Sequence, residues 1–252
     1  MPAVVSALQW LALQMMLVLL GLISLGWNLI ALLLHPLLSA QAGRRIGRAG
    51  IARGYGLYWW FANVTGMLEL HTRVLDELRD EPGLIIVANH PSMLDAMLLV
   101  ARLPRSFCVM KASLMRNPFL GPGARLARYV CNDSPRGMVR LTVKELRAGG
   151  QLVLFPEGTR TTRAPVNQFR SGFTLIAKLA KAPIQTVFID TSSPYLGKGW
   201  QLWRLPPLPI AFSVRLGRRF EPAADHAALL AEIERYFHAG VATGIRTPPA
   251  AR

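Results

Sequence analysis

Hydrophobic and polar positions change their pattern twice along the chain. Residues 1–43 contain no Asp, Glu, Lys or Arg. Within them, the apolar run from Leu8 to Leu34 predicts a helix of about 40 Å, against a bilayer hydrocarbon core of about 30 Å. That length suits either a tilted span or a partly embedded helix. Arg44, Arg45, Arg48 and Arg53 follow at once and then give way to Tyr55, Leu57, Tyr58, Trp59, Trp60 and Phe61. Arginines mixed with aromatic residues up to about Leu70 predict a second, interfacial helix. A core helix with surface arginines fits the same stretch.

Further on, short apolar runs alternate with helical periodicity. Strands are predicted over 67–71, 84–88, 107–110, 129–131, 151–155, 184–189 and 209–216. Helices are predicted over 92–101, 118–128, 136–148, 171–181 and 225–238, with Gly149-Gly150 stopping the third. This alternation gives an α/β fold: a largely parallel or mixed central sheet flanked by helices, behind an N-terminal membrane helix pair. The expected division is 1–66 for the membrane-anchoring helices, 67–240 for one globular domain and 241–252 for a loose tail. No internal repeat is visible.

Composition sharpens this picture in three places. The chain has 252 residues, enough for one sizeable core, and its 52% hydrophobic content is concentrated at the N-terminus. Ala40-Gln41-Ala42 resembles a signal-peptide cleavage site. The segment before it lacks a basic start and is much longer than the roughly 7–15 residues of a signal peptide's apolar stretch, so a retained anchor is predicted. Cys108 and Cys131 lie in apolar runs, which predicts buried, reduced thiols. The balance of 29 Lys and Arg against 14 Asp and Glu gives a net charge of +15. No nucleic-acid recognition motif accompanies that charge, so an anionic membrane surface is the expected partner, not nucleic acid. Arginines directly after the apolar helix place the globular domain on the cytoplasmic side of the cell inner membrane.

The chemistry is concentrated where two predicted strands end. The run Leu84 to Ala88 leads into Asn89-His90-Pro91-Ser92-Met93-Leu94-Asp95. An acid beside one imidazole nitrogen fixes the tautomer and leaves the other nitrogen to accept a proton. Taken alone, this pair is better explained as a cap and a first-turn acid favoured by the helix dipole. A second stretch, Phe155-Pro156-Glu157-Gly158-Thr159-Arg160, changes that balance. If the strands are parallel, both loops leave the same edge of the sheet, where ligands of open α/β folds bind.

Together the two stretches resemble the 1-acylglycerol-3-phosphate acyltransferase (lysophosphatidic acid or lysophospholipid acyltransferase) family, with its N-H-x-S-x-x-D and F-P-E-G-T-R signatures. The resemblance covers roughly residues 67–220 and implies the glycerolipid acyltransferase fold. It further implies transfer of a fatty acyl group from acyl-CoA or acyl carrier protein to the hydroxyl of a membrane lysolipid, with no metal and no cofactor. On that reading His90 is the general base, Asp95 orients it, and Glu157 bonds the acceptor or holds Arg160. Backbone N–H groups near Gly158 serve as oxyanion donors. Asn89, Ser92, Lys111, Gly158, Thr159 and Arg160 complete the expected substrate site, with Arg160 and Lys111 meeting a phosphate. Between Arg102 and Arg147 ten Lys or Arg stand against two acids, and much of that excess reads as a solvated or membrane-facing rim.

Departures from the family pattern bear on the acceptor. The expected I-x-R strand reads Tyr129-Val130-Cys131, with Arg136 as the available substitute. F-K-x-G reads Phe169-Arg170-Ser171-Gly172, and Thr186 stands where a Pro is usual. Recognition of a glycerol phosphate is therefore open. A lyso-ornithine lipid or another specialised lipid or polyene conjugate stays in play as acceptor, and 193–200 reads equally as a pocket wall or a surface loop. From other classes, a thioester hydrolase and a non-catalytic membrane module remain alternatives.

Overall fold

A computed structural model describes residues 2–242. Two long helices come first, α1 (Pro2–Leu34) and α2 (Ala40–Val64), and Ser39 caps α2 by accepting the Ala42 N–H. The strands are β1 (Leu68–His71), β2 (Ile85–Ala88), β3 (Ser106–Met110), β4 (Val130–Cys131), β5 (Gln151–Leu154), β6 (Ile184–Thr191) and β7 (Ile210–Phe220). Between and after them lie α3 (Asp95–Arg102), α4 (Ala112–Met115), α5 (Gly121–Leu126), α6 (Pro135–Arg147), α7 (Gly172–Ala180) and α8 (His226–Ala242). A 3-10 turn over Arg73–Leu78 was not legible in the sequence. Residues 241 and 242, expected in a loose tail, finish α8, and 243–252 lie outside the described residues.

The sheet order is β1-β7-β6-β2-β5-β3-β4. The strands β6, β2, β5, β3 and β4 run parallel, while β7 is antiparallel to β6 and carries β1 parallel to itself at the edge. The carboxyl ends of β2, β3 and β5 therefore share one edge. Every side chain of β2 is buried, as expected of a strand covered on both faces. Ile86 and Ala88 face the core under α1, α2 and α3, whereas Ile85 and Val87 face the core under α6, α7 and α8.

α1 is long and apolar enough to cross a membrane by length and composition. One of its faces packs on the domain through Leu13, Met16 and Ala31. Polar anchors are spread along it: Gln14 Nε2 donates to Leu202 O at 2.8 Å, Ser24 Oγ to Phe119 O at 2.7 Å, and Asn28 accepts the Gly123 N–H at 2.7 Å. The opposite face, including Leu8, Leu11, Met15, Val18, Leu22 and Leu29, is bare. Trp60 and Phe61 of α2 are also exposed, as is the Leu202-Trp203 pair that Gln14 reaches through Leu202 O, Trp203 being 72% exposed.

Two arginines expected at the lipid surface point inward instead. Arg48 is only 4% exposed and pairs with Glu145 of α6 at 2.5 Å, while Arg44 grips the same carboxylate with Nε and Nη2 at 2.7 and 2.8 Å. Arg48 also donates to the carbonyls of Ala127 and Arg105. α2 is thus part of the folded domain, which the helix periodicity alone could not distinguish from a lipid-facing helix. Cys108 and Cys131 are both free thiols, and burial pushes Cys108 up to about 12.

Candidate active site

β2 runs straight into the first motif. The helix that follows begins at Asp95, not at Ser92 as periodicity suggested, because Pro91 to Leu94 form a turn held by side chains. Ser92 N–H donates to Asp95 Oδ2 at 2.7 Å, which brings the carboxylate back over the turn and under the imidazole. His90 Nδ1 stands 2.9 Å from the same oxygen. The carboxylate assigns the ring proton to Nδ1 and leaves Nε2 with a lone pair and no partner among the described residues. The ring stacks on Phe155 at a centroid distance of 4.0 Å with an interplanar angle of 17°. Phe155, the first residue of the second motif, therefore forms the platform on which His90 rests.

Asp95 is 0% exposed, and burial raises its carboxyl above the usual range despite the bonds from His90 and Ser92. Its Oδ1 has no hydrogen-bond partner among the described residues.

The two motif loops are laced together. Glu157, 4% exposed, accepts the His90 N–H at 3.1 Å and the Thr161 hydroxyl at 2.7 Å through Oε1, and the Asn167 N–H at 2.8 Å through Oε2. Thr161 N–H in turn donates to His90 O at 2.7 Å. Arg160 Nη1 reaches the carbonyls of Leu196 and Gly197 at 2.9 and 3.0 Å.

Several expected roles change on this geometry. Glu157 does not hold Arg160, and it is not a surface acid; its carboxylate is occupied by donors within the two loops. Asn89 was expected to bind substrate, but its side-chain amide exchanges two 2.8 Å bonds with the backbone of Ile189 and fixes the exit of β2 against β6. Ser92, also expected at the substrate, is buried and donates to Tyr195 O at 3.0 Å. Both residue types are as good at satisfying buried backbone groups as at binding ligands, so sequence could not separate the two uses. The Gly158 N–H is occupied by Phe155 O at 3.0 Å. The N–H groups of Thr159 and Arg160 have no acceptor among the described residues and take over as candidate oxyanion donors. Gly158 itself sits at φ +67°, and a Cβ there would lie 2.6 Å from Arg170 Nε. Arg170, from the stretch read as F-R-S-G, thus lies against the loop.

Lys111 is exposed at the carboxyl end of β3, on the same edge as both motifs. Arg136, the substitute for the missing family arginine, lies instead on the outer face of α6. A cavity of about 440 Å³ opens between Pro91, Thr161 and the loop from Pro194 to Arg204, with Lys198 and Arg204 on its wall. Pro194 and residues 197–201 of this loop line that cavity. Phe155, Thr161, Asn167 and Tyr195 are contributors that spacing did not single out.

Comparison with known proteins agrees with this architecture. The family model described as "Acyltransferase" matches residues 69–190. Over 152 residues the chain is 31% identical to a lyso-ornithine lipid O-acyltransferase of Pseudomonas aeruginosa, an alignment that covers 55% of this chain and 58% of that protein. The chain therefore spans a little over half the length of that relative. It is 22% identical over 223 residues to a 1-acyl-sn-glycerol-3-phosphate acyltransferase of the same organism, covering 85% of this chain and 82% of the other. The crystal structure of a 1-acyl-sn-glycerophosphate (LPA) acyltransferase from Thermotoga maritima superposes with a TM-score of 0.64 at 20% identity, over 88% of this chain and 94% of that one. At that identity the likeness speaks for the fold.

Proposed function

Residues 69–190 match the acyltransferase family model, and from that premise we propose that the chain moves a fatty acyl group from a thioester donor to the free hydroxyl of a membrane lysolipid. The observation that carries the reading is the pairing of His90 Nδ1 with buried Asp95 at 2.9 Å on a loop hydrogen-bonded to the second motif. His90 Nε2 removes the acceptor hydroxyl's proton as that oxygen attacks the thioester carbonyl. Asp95 keeps the proton on Nδ1 and offsets the charge of the imidazolium. The tetrahedral oxyanion is met by the N–H groups of Thr159 and Arg160. Collapse breaks the carbon–sulfur bond, and the leaving thiolate takes the proton back from His90. Asp95, His90 and Glu157 are needed in this scheme, with Glu157 acting through the loops it braces.

For the acceptor, 1-acylglycerol-3-phosphate is the first choice, its phosphate taken by Lys111 and the remaining donors of Arg160. A second reading, a lyso-ornithine lipid, is favoured by Arg160 spending Nη1 on two carbonyls. Lys198 and Arg204 on the cavity wall offer cations to the phosphate of the one or the carboxylate of the other. The bare face of α1 lies in the bilayer, at the inner membrane with the domain in the cytoplasm. Contacts from Leu13 to Ala31 follow the domain over about 27 Å of helix, which favours embedding in one leaflet over a free-standing span.

The experiment is an assay of the purified protein in detergent micelles with acyl-CoA and acyl-carrier-protein donors against both lysolipids. Acceptor-dependent transfer that disappears in His90→Ala is the expected result. Thioester loss that proceeds without acceptor would make the chain a hydrolase instead.

A further inference from the structure

An open groove of about 760 Å³ runs between α6 and α7. Its floor is apolar, with Val139 and Val143 of α6 against Leu175 and Leu179 of α7. One wall is a row of exposed cations: Arg136, Arg140, Lys144 and Arg147. Steps of four, four and three residues place them on one face of the helix, where like charges repel and destabilise it. The acid of α6, Glu145, is buried and already holds Arg44 and Arg48. No acid among the described residues pairs with Arg136, Arg140 or Lys144. Arg147 donates to Leu179 O at 2.7 Å and closes the far end of the groove. Without an acid to pair with, Arg136 and Arg140 repel each other and their neighbours along this face, a cost that an anionic ligand would remove.

Position decides which anion. The α6–α7 layer covers the sheet face built on Ile85 and Val87, while α1 and α2 cover the face built on Ile86 and Ala88. A bilayer holding the bare face of α1 lies on the other side of the sheet from the groove. The partner must therefore come from solution, carry acids at helical spacing and present an apolar ridge. α6 starts directly after β4, at the edge where both motifs lie, so the Arg136 end of the groove is the end nearest His90.

We propose that this groove docks an acidic, helical carrier protein that brings the fatty acyl thioester on a flexible arm. The inference rests on the acyl-transfer reading and names the donor that reading left open. Acids of the carrier meet the row on α6, its apolar ridge fills the floor against α7, and its arm passes the N-terminal end of α6 toward His90.

The test uses the full chain in detergent micelles and the double variant Arg140→Glu/Lys144→Glu, neither residue belonging to the reacting site. Expected is a rise of about tenfold or more in KM for acyl-carrier-protein donor, with kcat and the KM for acyl-CoA held within about twofold. The wild-type KM for the carrier should also rise with ionic strength. Equal changes with both donors, or no change with the carrier, overturn the proposal. Anisotropy of a fluorescently labelled carrier protein reads docking without turnover. If neither donor supports transfer, the catalytic reading fails while carrier binding, lost in the variant, still upholds the groove; absent binding to the wild type overturns it. Anionic phospholipid vesicles should bind wild type and variant equally, and selective loss in the variant would assign the groove to lipid instead. Should the double variant not fold, Arg140→Gln/Lys144→Gln and Leu179→Ser carry the same expectations.

Discussion

The main-chain N–H of His90 donates to Glu157 Oε1 at 3.1 Å, so the second motif grips the first through its backbone. With Thr161 N–H returning to His90 O at 2.7 Å, two loops that sequence separates are locked at the residue that matters. The acidic side chain is proposed as a positioning group, and this role has consequences a directly reacting carboxylate would not have.

Glu157→Ala leaves three part-buried donors without an acceptor and should cost on the order of 3 kcal/mol in chemical denaturation, with a large fall in turnover. Glu157→Gln keeps an oxygen for His90 and Thr161 and should recover most of both. A Gln variant of full stability that is as inactive as His90→Ala would contradict the bracing role and give Glu157 a part in the chemistry.

His90→Ala or Asp95→Asn should lower turnover by at least about 10². Stability should respond differently. Burial raises the folded carboxyl of Asp95 above its ordinary value. The folded state therefore binds that proton more readily, and stability from this group is present at acid pH and lost as pH rises through the raised value. Asn carries no charge to bury. The melting temperature of Asp95→Asn should accordingly be no lower than wild type at pH 7 and should lose less between acid and neutral pH. A variant clearly less stable at neutral pH would show that the ionised carboxylate stabilises the turn.

Arg48 and Glu145 separate a core contact from a lipid contact. Removing one partner of a buried pair leaves the other charged and unsatisfied, so Glu145→Ala should cost about 3–5 kcal/mol. Arg48→Met/Glu145→Met should recover much of that loss. Binding to anionic vesicles should be the same for Arg48→Met as for wild type, since that guanidinium is only 4% exposed. A marked loss of vesicle binding would restore this arginine to the membrane surface.

The strands that position the site were readable because parallel, doubly covered strands are short continuous apolar runs, as in Ile85 to Ala88. β7 extends to Phe220, four residues past the expected end, because Gly217, Arg218 and Arg219 break the apolar pattern while β6 still pairs with the strand. The His90–Asp95 pairing was legible from local spacing, since both ends lie on one turn. Partners far away in sequence were not: nothing near Arg48 points to Glu145, and nothing near Asn89 points to Ile189. Residue type alone could not tell whether Asn89 and Ser92 serve a ligand or the backbone, and the register of β2 against β6 decides it.

Gly158→Ala would force a side chain into φ +67° and bring its Cβ within 2.6 Å of Arg170 Nε. Arg170 is exposed and can swing away, so the backbone strain of about 1–2 kcal/mol dominates. Turnover should fall more than stability does, because the next two N–H groups are the proposed oxyanion donors. Unchanged kcat would move the oxyanion site away from this loop.

Arg160→Ala tests two uses of one guanidinium. Nη1 holds the carbonyls of Leu196 and Gly197, the second of which lies on the cavity wall with Pro91 and Thr161. Losing that hold loosens the wall for any acceptor and should raise KM about two- to threefold, the worth of one modest hydrogen bond. A phosphate bound by the remaining donors loses a charge-assisted contact as well, so KM for 1-acylglycerol-3-phosphate should rise about tenfold or more. A lyso-ornithine lipid, lacking that phosphate, should show only the smaller rise. Equal increases for the two acceptors would mean that Arg160 acts through the loop alone and that the phosphate, if one is bound, is met by Lys111, Lys198 or Arg204.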